Sequence, residues 1–268
     1  MILPSMSGSL DQKDFFVYTA ADSVYFDNFG KQFIQSIKHN TNYGVHIHLY
    51  DPTPEQLNYC LETDKVSFTY EKTTNEQFKP AIEYWSRDDL SELDTDRKRI
   101  MVDLMTNLNK WYPDDDLIKW IYKTYYASMR FVRLAEIINH PCKFINLDID
   151  ALVRAPIQID FDNENDMYVY TNHNGNYLAG SIFYPAKEST VKFIKELGNN
   201  IKEEIEKDNL YWFLDQYCLD AVANKYKVGF LPKDYIDWDL KTDTAIWTLK
   251  GWRKKNPVFI EEAKKYLQ

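Results

Sequence analysis

Two aspartates separated by a single residue, Asp148 and Asp150, are the clearest candidates for chemistry in this sequence. They follow a short apolar segment, Cys142–Leu147, that is typical of a buried strand. Side chains two positions apart on an extended backbone point the same way, so both carboxylates are expected on one side of the chain. Convergent carboxylates repel each other unless a cation lies between them, and oxygen ligands suit Mg²⁺ or Mn²⁺. The pattern predicts a divalent metal site, with a solvated exit from the strand as the alternative.

Charged residues on two predicted helices are further candidates. Arg130 and Arg133 lie three positions apart, so they share a helix face on which guanidinium groups can bind a phosphate. A solvated helix face is the alternative interpretation for both. Asp215 stands among aromatic residues, and partial burial there would raise its pKa and make it useful in catalysis. The alternative for Asp215 is a capping or ion-paired carboxylate.

The elements that must position these residues begin with alternating strands and helices, typical of a parallel α/β sheet. A helix is predicted from about Val24 to Ile37. A second helix begins at Thr53, which has the capping-box partner Gln56 three residues later. Short apolar runs predict three strands, at Phe15–Thr19, Val45–Tyr50 and Val66–Tyr70.

A charged segment at about 73–116 interrupts this alternation, and we interpret it as an insertion with a helix near Lys98–Leu108. A long helix, Leu117–Asn139, leads into the strand before the two aspartates. The later strands are predicted at Met167–Thr171, Ser181–Tyr184 and Val228–Leu231, and the later helices at about Thr190–Lys207 and Tyr211–Tyr226. The tail beyond these elements is predicted to be irregular.

Composition excludes several classes of protein. The 268 residues carry a net charge of -9 and no dense basic stripe, so no nucleic-acid partner is expected. Apolar runs are far shorter than the roughly 18–20 residues of a transmembrane helix. The three cysteines form no CxxC or zinc spacing, and residues 1–14 do not resemble a signal peptide. We predict a cytoplasmic protein with a flexible segment, 1–14, and one domain over 15–268.

The segment 125–156, YYASMRFVRLAEIINHPCKFINLDIDALVRAP, resembles the core of GT-A glycosyltransferases. It is most similar to the glycogenin-like and bacterial lipooligosaccharide galactosyltransferase-like group. In those enzymes a helix with an arginine and a buried strand precede a DxD motif, which holds a divalent metal on the diphosphate of a sugar nucleotide. The resemblance implies that Arg130 and the motif Asp148-Ile149-Asp150 serve the donor. It also implies an α/β fold, a Rossmann-like three-layer α/β/α sandwich with a mostly parallel central sheet.

Short matches in the expected order extend the resemblance over roughly residues 15–256. It implies that the loop after the first strand contacts the base and ribose of the nucleotide. The residues of that loop are Thr19, Ala20, Ala21, Asp22 and Tyr25.

The remaining matches concern the donor sugar and the diphosphate. The turn Ala179-Gly180 resembles the small-residue turn beside the donor sugar. Asp215 and Gln216 match an acidic-Gln pair near the reacting centre. Gly251 and Lys254 match a C-terminal Gly-x-x-Lys segment that closes on the diphosphate.

The sequence departs from the family at one ligand position. A third metal ligand, a histidine, often stands three residues before that glycine, and here the position is Thr248. His173 and Asp243 are the nearest candidates to replace it. The insertion at about 73–116 has no counterpart in the family, so the acceptor side has no assigned residues.

The resemblance predicts metal-dependent transfer of a hexose from a nucleoside diphosphate sugar, most simply a UDP-sugar, to a saccharide or related acceptor. It favours retention of the anomeric configuration. One alternative is a catalytically weak or inactive nucleotide-sugar-binding module, which the absent histidine favours. Another is a phosphatase of the haloacid-dehalogenase type, in which a strand is also followed by DxD. That class places its DxD near the start of its core, whereas here three strands precede it.

Overall fold

The structure is a computed structural model that describes residues 1–11, 15–86, 117–157, 164–171, 175–232, 234–249 and 251–267. Its strands are β1 (Ser7–Gly8), β2 (Phe16–Asp22), β3 (Gly44–Tyr50), β4 (Val66–Glu71), β5 (Phe144–Leu147), β6 (Ala151–Val153), β7 (Met167–Thr171), β8 (Tyr177–Tyr184), β9 (Val228–Phe230), β10 (Ile236–Asp237) and β11 (Ile246–Thr248).

Its helices lie between and after these strands. They are α1 (Ser23–Tyr25), α2 (Lys31–Asn40), α3 (Pro54–Glu62), α4 (Asn75–Trp85), α5 (Leu117–Ile137), α6 (Glu188–Glu206), α7 (Leu214–Ala223) and α8 (Pro257–Lys264). A π-helical turn, Phe26–Gly30, joins α1 to α2, and a 3₁₀ helix, Gly251–Lys255, precedes α8.

In the described part of the chain, eight strands form the central sheet in the order β1-β4-β3-β2-β5-β8-β7-β9. Four of the seven neighbouring pairs are parallel, including the three that join β4, β3, β2 and β5. The strands β1 and β8 run antiparallel to their neighbours. The prediction of a mostly parallel sheet is therefore confirmed, with antiparallel pairs around β8 that the sequence pattern did not indicate.

Helices cover both faces of the sheet because its strands are apolar on both sides. Phe16 and Tyr18 pack with α4, α5, α6 and α7 in one core, whereas Val17 and Ala21 pack with α2 and α3 in a second core. This alternation along β2 is the two-residue period of a strand buried on both faces. The predicted three-layer α/β/α sandwich is confirmed.

A second sheet, β10-β11-β6, attaches the C-terminal part of the chain to the segment after the two aspartates. In its antiparallel ladder Thr248 is opposite Ala151, and Trp247 is opposite Leu152. Leu152 and Trp247 pack with Phe259 of α8 in a third apolar cluster. The prediction of an irregular tail was wrong, because these apolar residues give the tail a core of its own.

The predicted strands recur in the structure with shifts of a few residues, and the capping box at α3 is confirmed. Thr53 Oγ1 accepts from the Gln56 N–H at 3.3 Å, and Gln56 Oε1 accepts from the Thr53 N–H at 3.1 Å. The helix predicted from Tyr211 begins instead at Leu214, after Phe213, whose φ of 67° lies outside the helical region.

The structure contains an element that was not predicted in each of two segments, the N-terminal residues 1–14 and the insertion. Residues 1–14 include β1, whose Ser7 and Gly8 pair with β4. The insertion begins with α4, which buries Phe78, Ala81 and Trp85 against the domain. The helix predicted near Lys98–Leu108 lies outside the described residues. No helix of the described ranges is long and apolar enough to cross a membrane, and the cytoplasmic location stays a prediction.

Candidate functional site

The aspartate pair lies in the short link between β5 and β6. The Asp148 N–H donates to Gly180 O at 3.1 Å, and the Ala151 N–H donates to Asp148 O at 3.0 Å. The second bond closes a turn, so the prediction of extended backbone through Asp150 was wrong. The pair nevertheless lies at the carboxyl end of a central strand, where open α/β sheets bind ligands. Each carboxylate contacts a different cationic side chain.

Arg130 of α5 contacts the first carboxylate. Its Nη1 forms an ion pair with Asp148 Oδ1, and its Nη2 lies 2.9 Å from Asp215 Oδ2 in the first turn of α7. Burial opposes the charge of Arg130, but the two carboxylates outweigh that effect and raise its pKa. Arg130 is buried at 8% exposure. Since both arms of its guanidinium are engaged, Arg130 joins the aspartate motif to α7.

Arg133, one turn further along α5, serves a different cluster. Its Nε lies 2.5 Å from Glu71 Oε2 at the end of β4, and its Nη2 donates to Pro4 O at 2.7 Å. Glu71 also accepts from Tyr125 at 2.7 Å. Arg133 is 3% exposed, so the interpretation as a solvated helix face was wrong for it. It stabilises the packing of α5 on the sheet instead.

Lys254 of the 3₁₀ helix contacts the second carboxylate. Its Nζ lies 2.6 Å from Asp150 Oδ2 and 3.1 Å from Tyr25 OH. The ammonium also lies 4.6 Å from the centre of the Tyr25 ring and 5.5 Å from that of Phe29, within range of cation–π attraction. Burial lowers its pKa, but Asp150 and Tyr25 outweigh burial and raise it. The Gly-x-x-Lys segment therefore contacts the aspartate motif, and its contact with a diphosphate stays a prediction.

Gly251 starts this segment with a φ of 59°, a left-handed conformation that glycine adopts without the steric cost of a Cβ atom. The turn directs the 3₁₀ helix from the end of β11 back toward the aspartates. The backbone conformation thus favours glycine at this position.

One atom of the aspartate pair has no partner. Oδ1 of Asp150 is buried and forms no hydrogen bond within the described part of the chain. A buried carboxylate oxygen without a donor is costly, and a cation ligand would relieve that cost. Carboxylate oxygens such as those of Asp150 and Asp148 are ligands of the type that Mg²⁺ and Mn²⁺ prefer.

Of the two residues predicted as a third ligand, Asp243 does not join the pair among the described residues. Asp243 is exposed before β11, so that candidate was wrong, and His173 lies outside the described residues. Thr248 ends β11 opposite Ala151, and its buried hydroxyl has no partner among the described side chains and backbone. The ranges that the structure describes contain no group of three His, Cys, Asp or Glu side chains able to hold a metal.

The carboxyl end of β2 lies beside Lys254. Asp22 caps α1 by accepting from the Tyr25 N–H at 2.7 Å, and burial raises the pKa of Asp22. Thr19 is fully buried, and its Oγ1 has no partner among the described residues. Ala20 and Ala21 complete the strand with small side chains. Thr19–Asp22 belong to β2, so the prediction of a loop there was wrong. The Tyr25 hydroxyl on Lys254 brings the end of β2 close to Asp150.

Ala179 and Gly180, which were predicted to form a turn, lie within β8 against the first aspartate, so the prediction of a turn was wrong. A Cβ atom on Gly180 would collide with the Asp148 carboxylate, so glycine is needed there for close approach. The Ala179 N–H donates to Gln216 Oε1 at 3.2 Å, and the Gln216 N–H donates to Asp215 Oδ1 at 2.9 Å. Both predicted residues of α7, Asp215 and Gln216, therefore adjoin this part of β8.

Asp215 combines the two interpretations that its sequence context left open. It is 8% exposed, which matches the predicted burial, and it is ion-paired with Arg130, which matches the alternative. The Ile149 side chain packs in the apolar core. Only the backbone of Ile149 is therefore left to contact a ligand at the motif.

Sequence reasoning missed a second buried polar cluster, which joins side chains of β3 and β4. His46 lies 2.9 Å from Ser67 Oγ and 3.2 Å from Thr69 Oγ1, and His48 lies 2.9 Å from Thr69 Oγ1 and 3.7 Å from Glu71 Oε2. Burial lowers the pKa of His46 to about 3 and also lowers that of His48. Matching polar alternation on two neighbouring strands was the signal that could have found this cluster.

Comparisons with known proteins support the fold. No family model matches the chain, and a search of curated proteins found no match. Among solved structures, it is similar to the galactosyltransferase LgtC, with 13% identity, 94% of this chain and 96% of that chain covered, and a TM-score of 0.51. It is also similar to the glycosyltransferase GlyE of Streptococcus pneumoniae TIGR4, with 13% identity, 94% and 61% coverage, and a TM-score of 0.52.

A third similar structure is the bifunctional glycosyltransferase WbbM, with 13% identity, 95% of this chain and 50% of that chain covered, and a TM-score of 0.51. The chain thus spans about 61% of GlyE and half of WbbM. The likeness to these three structures supports the fold of this chain. The chain has the GT-A fold of these glycosyltransferases.

Proposed function

We propose that this protein transfers a hexose from a nucleoside diphosphate sugar, most simply a UDP-sugar, to a saccharide or related acceptor. The observation that carries the proposal is the junction at the end of β5, where Asp148, Asp150 and Lys254 meet. A carboxylate pair and a cationic side chain at one strand end suit an anionic diphosphate together with a divalent cation. The fold of the similar glycosyltransferases supports the same reaction class.

We propose Asp148 and Asp150 as the protein ligands of Mg²⁺ or Mn²⁺. The unpartnered Oδ1 of Asp150 supports this assignment, and the oxygen chemistry suits either ion. When bound, the cation would act as a Lewis acid that stabilises the diphosphate leaving group. The role of the two carboxylates is to hold it beside the donor.

Lys254 supplies positive charge to the diphosphate. Charge grows on the leaving oxygen as the glycosidic bond breaks, so a fixed ammonium stabilises the transition state more than the ground state. Tyr25, which bonds Lys254, lies just after the end of β2, whose residues Thr19–Asp22 are proposed for the base and ribose. Nucleotide and diphosphate would thus be held by adjoining parts of one site.

Asp215 and Gln216 are the residues proposed beside the donor sugar. Arg130 forms an ion pair with Asp215 and fixes its position, so Arg130 is a positioning residue for this carboxylate. Gln216 is held by Ala179, next to the glycine that approaches Asp148. The family resemblance favours retention of configuration at the transferred carbon.

The test is release of nucleoside diphosphate from UDP- and GDP-sugars with Mn²⁺, using water or a simple sugar as acceptor. An active transferase releases nucleoside diphosphate above background from at least one donor. A binding module without activity would bind the donor, measured by calorimetry, and release nothing. A phosphatase would release inorganic phosphate from a phosphomonoester and leave sugar nucleotides intact.

A further inference from the structure

The ion pair between Lys254 and Asp150 engages a carboxylate that the proposed cation also needs. Nζ lies 2.6 Å from Oδ2, and the Asp150 side chain is 7% exposed. The other oxygen, Oδ1, is buried without a partner within the described ranges. The Lys254 ammonium and a metal ion would therefore both bind the Asp150 carboxylate.

We propose that Lys254 and the divalent cation compete for Asp150, so that the cation binds tightly only after a diphosphate has drawn Lys254 away. This inference rests on the proposed function and adds that the diphosphate binds before the cation binds tightly. Lys254 thus acts as a positioning residue for the metal site before it meets the diphosphate. The nucleoside diphosphate and the cation are then expected to bind with strong mutual enhancement.

Electrostatics supports the competition. An ammonium on Oδ2 and a divalent cation on Oδ1 would lie only a few ångströms apart, and like charges repel strongly in a buried site. The ammonium also withdraws electron density and charge from the carboxylate, which weakens it as a metal ligand. Binding both cations to Asp150 at once is therefore unfavourable.

The surroundings of Lys254 stabilise it in this position. Tyr25 OH lies 3.1 Å from Nζ, and the rings of Tyr25 and Phe29 lie within cation–π range. These contacts are made by neutral groups. An anionic diphosphate therefore offers the ammonium a stronger partner than the Tyr25 hydroxyl or the two rings do. The side chain sits on a single 3₁₀ turn after Gly251, a short element that can shift at low cost.

Linkage makes the competition measurable. If a diphosphate tightens cation binding by removing Lys254, the cation must tighten diphosphate binding by the same factor. Removing the ammonium by mutation should therefore raise cation affinity in the absence of nucleotide. A residue with only a structural role would lower that affinity or leave it unchanged.

The experiment measures binding of Mn²⁺ alone by the EPR signal of the free ion, for the native protein and for Lys254→Met. We expect Lys254→Met to bind Mn²⁺ at least about 10-fold more tightly, the size of a charge-assisted contact. Lys254→Arg keeps a cation and should bind Mn²⁺ as weakly as the native protein. Lys255→Met, at an exposed position of the same 3₁₀ turn, is the matched control and should resemble the native protein.

A second series adds UDP, with GDP in parallel. The native protein should bind Mn²⁺ at least about 10-fold more tightly when UDP or GDP is present. Lys254→Met should gain less Mn²⁺ affinity, because the ammonium that competes with Mn²⁺ for Asp150 is already absent. Tyr25→Phe, which loses only the hydroxyl, covers the case in which Lys254→Met fails to fold. It should raise Mn²⁺ affinity in the same direction by a smaller factor.

The competition is wrong if folded Lys254→Met and Tyr25→Phe both bind Mn²⁺ alone no more tightly than the native protein. Donor turnover is measured separately on the native protein. Lys254→Met could bind Mn²⁺ more tightly while the native protein releases no nucleoside diphosphate from any donor. That result would support the competition and overturn the transferase. Turnover without any Mn²⁺ binding would overturn the competition and retain the transferase.

Discussion

Arg130 and Asp215, 85 positions apart in the chain, form a buried ion pair with 2.9 Å between Nη2 and Oδ2. The other arm of the guanidinium contacts Asp148. The arginine therefore links the aspartate motif to the first turn of α7. Removing one partner of such a group leaves a buried charge without compensation, which is more damaging than the loss of one contact.

Asp215→Asn is expected to lower turnover by about 10²-fold or more while the fold stays intact. Asparagine keeps an oxygen that accepts from Arg130, but it lacks the negative charge proposed beside the donor sugar. Turnover is measured as nucleoside diphosphate release, and folding by circular dichroism. Asp243→Asn, at an exposed position, is the matched control and should be unchanged. Native turnover in Asp215→Asn would leave Asp215 a purely structural residue.

Losing Asp150 should cost more activity than losing Lys254. We expect about a 10³-fold rate loss for Asp150→Ala, because it removes a cation ligand that acts on charge developing in the transition state. Lys254→Ala should cost about 10–10²-fold, since the metal still carries most of that charge. Nucleoside diphosphate release by both variants tests the order. Undiminished release by Asp150→Ala would discard the metal site and retain the enzyme.

Binding of a nucleoside diphosphate should depend on the metal. The protein carries a net charge of -9 and three carboxylates around the site, so an anionic ligand needs a cation between itself and the aspartates. Calorimetry with UDP and GDP is expected to show much tighter binding with Mn²⁺ or Mg²⁺ than in EDTA. Equal affinity under both conditions would contradict the cation's role.

Gly180→Ala should damage the site and spare the fold. The added Cβ would displace the Asp148 carboxylate, which is the far end of a side chain and can move without unfolding the sheet. We expect at least about a 10-fold loss of turnover, with the far-UV spectrum unchanged. Full activity in Gly180→Ala would show that the position of Asp148 is not critical.

Stability should fall as the pH drops below about 6.5, through His46 and His48. Their folded-state pKa values are lowered by burial, that of His46 to about 3. Between about pH 4.5 and 6.5 the unfolded chain binds protons that the folded protein excludes, so protonation favours unfolding. For His46 the slope approaches about 1.4 kcal/mol per pH unit, and His48 contributes in the same direction.

Urea unfolding at several pH values measures this dependence. His46→Gln should flatten the slope between pH 4.5 and 6.5, because one of the two groups is gone. His39→Gln, at an exposed position, is the control and should keep the native slope. A native slope in His46→Gln would contradict the assignment.

Local patterns in the sequence determined much of the fold. The apolar strand before Asp148, the capping box at Thr53 and the alternation along β2 each depend on residues two to four positions apart. Such patterns are readable because the period of a strand or helix is a property of neighbouring residues. The position of the aspartate motif at a strand end was confirmed for the same reason.

The tertiary structure alone decided which residues meet. Lys254 and Tyr25 are 229 positions apart, and Arg133 was paired with Glu71 rather than with solvent because α5 packs on the end of β4. The turn at Asp150, the antiparallel strand β8 and the second sheet also depend on packing between distant segments. No local period encodes these contacts, since the free energy that selects them comes from burying charged and apolar groups against partners far along the chain.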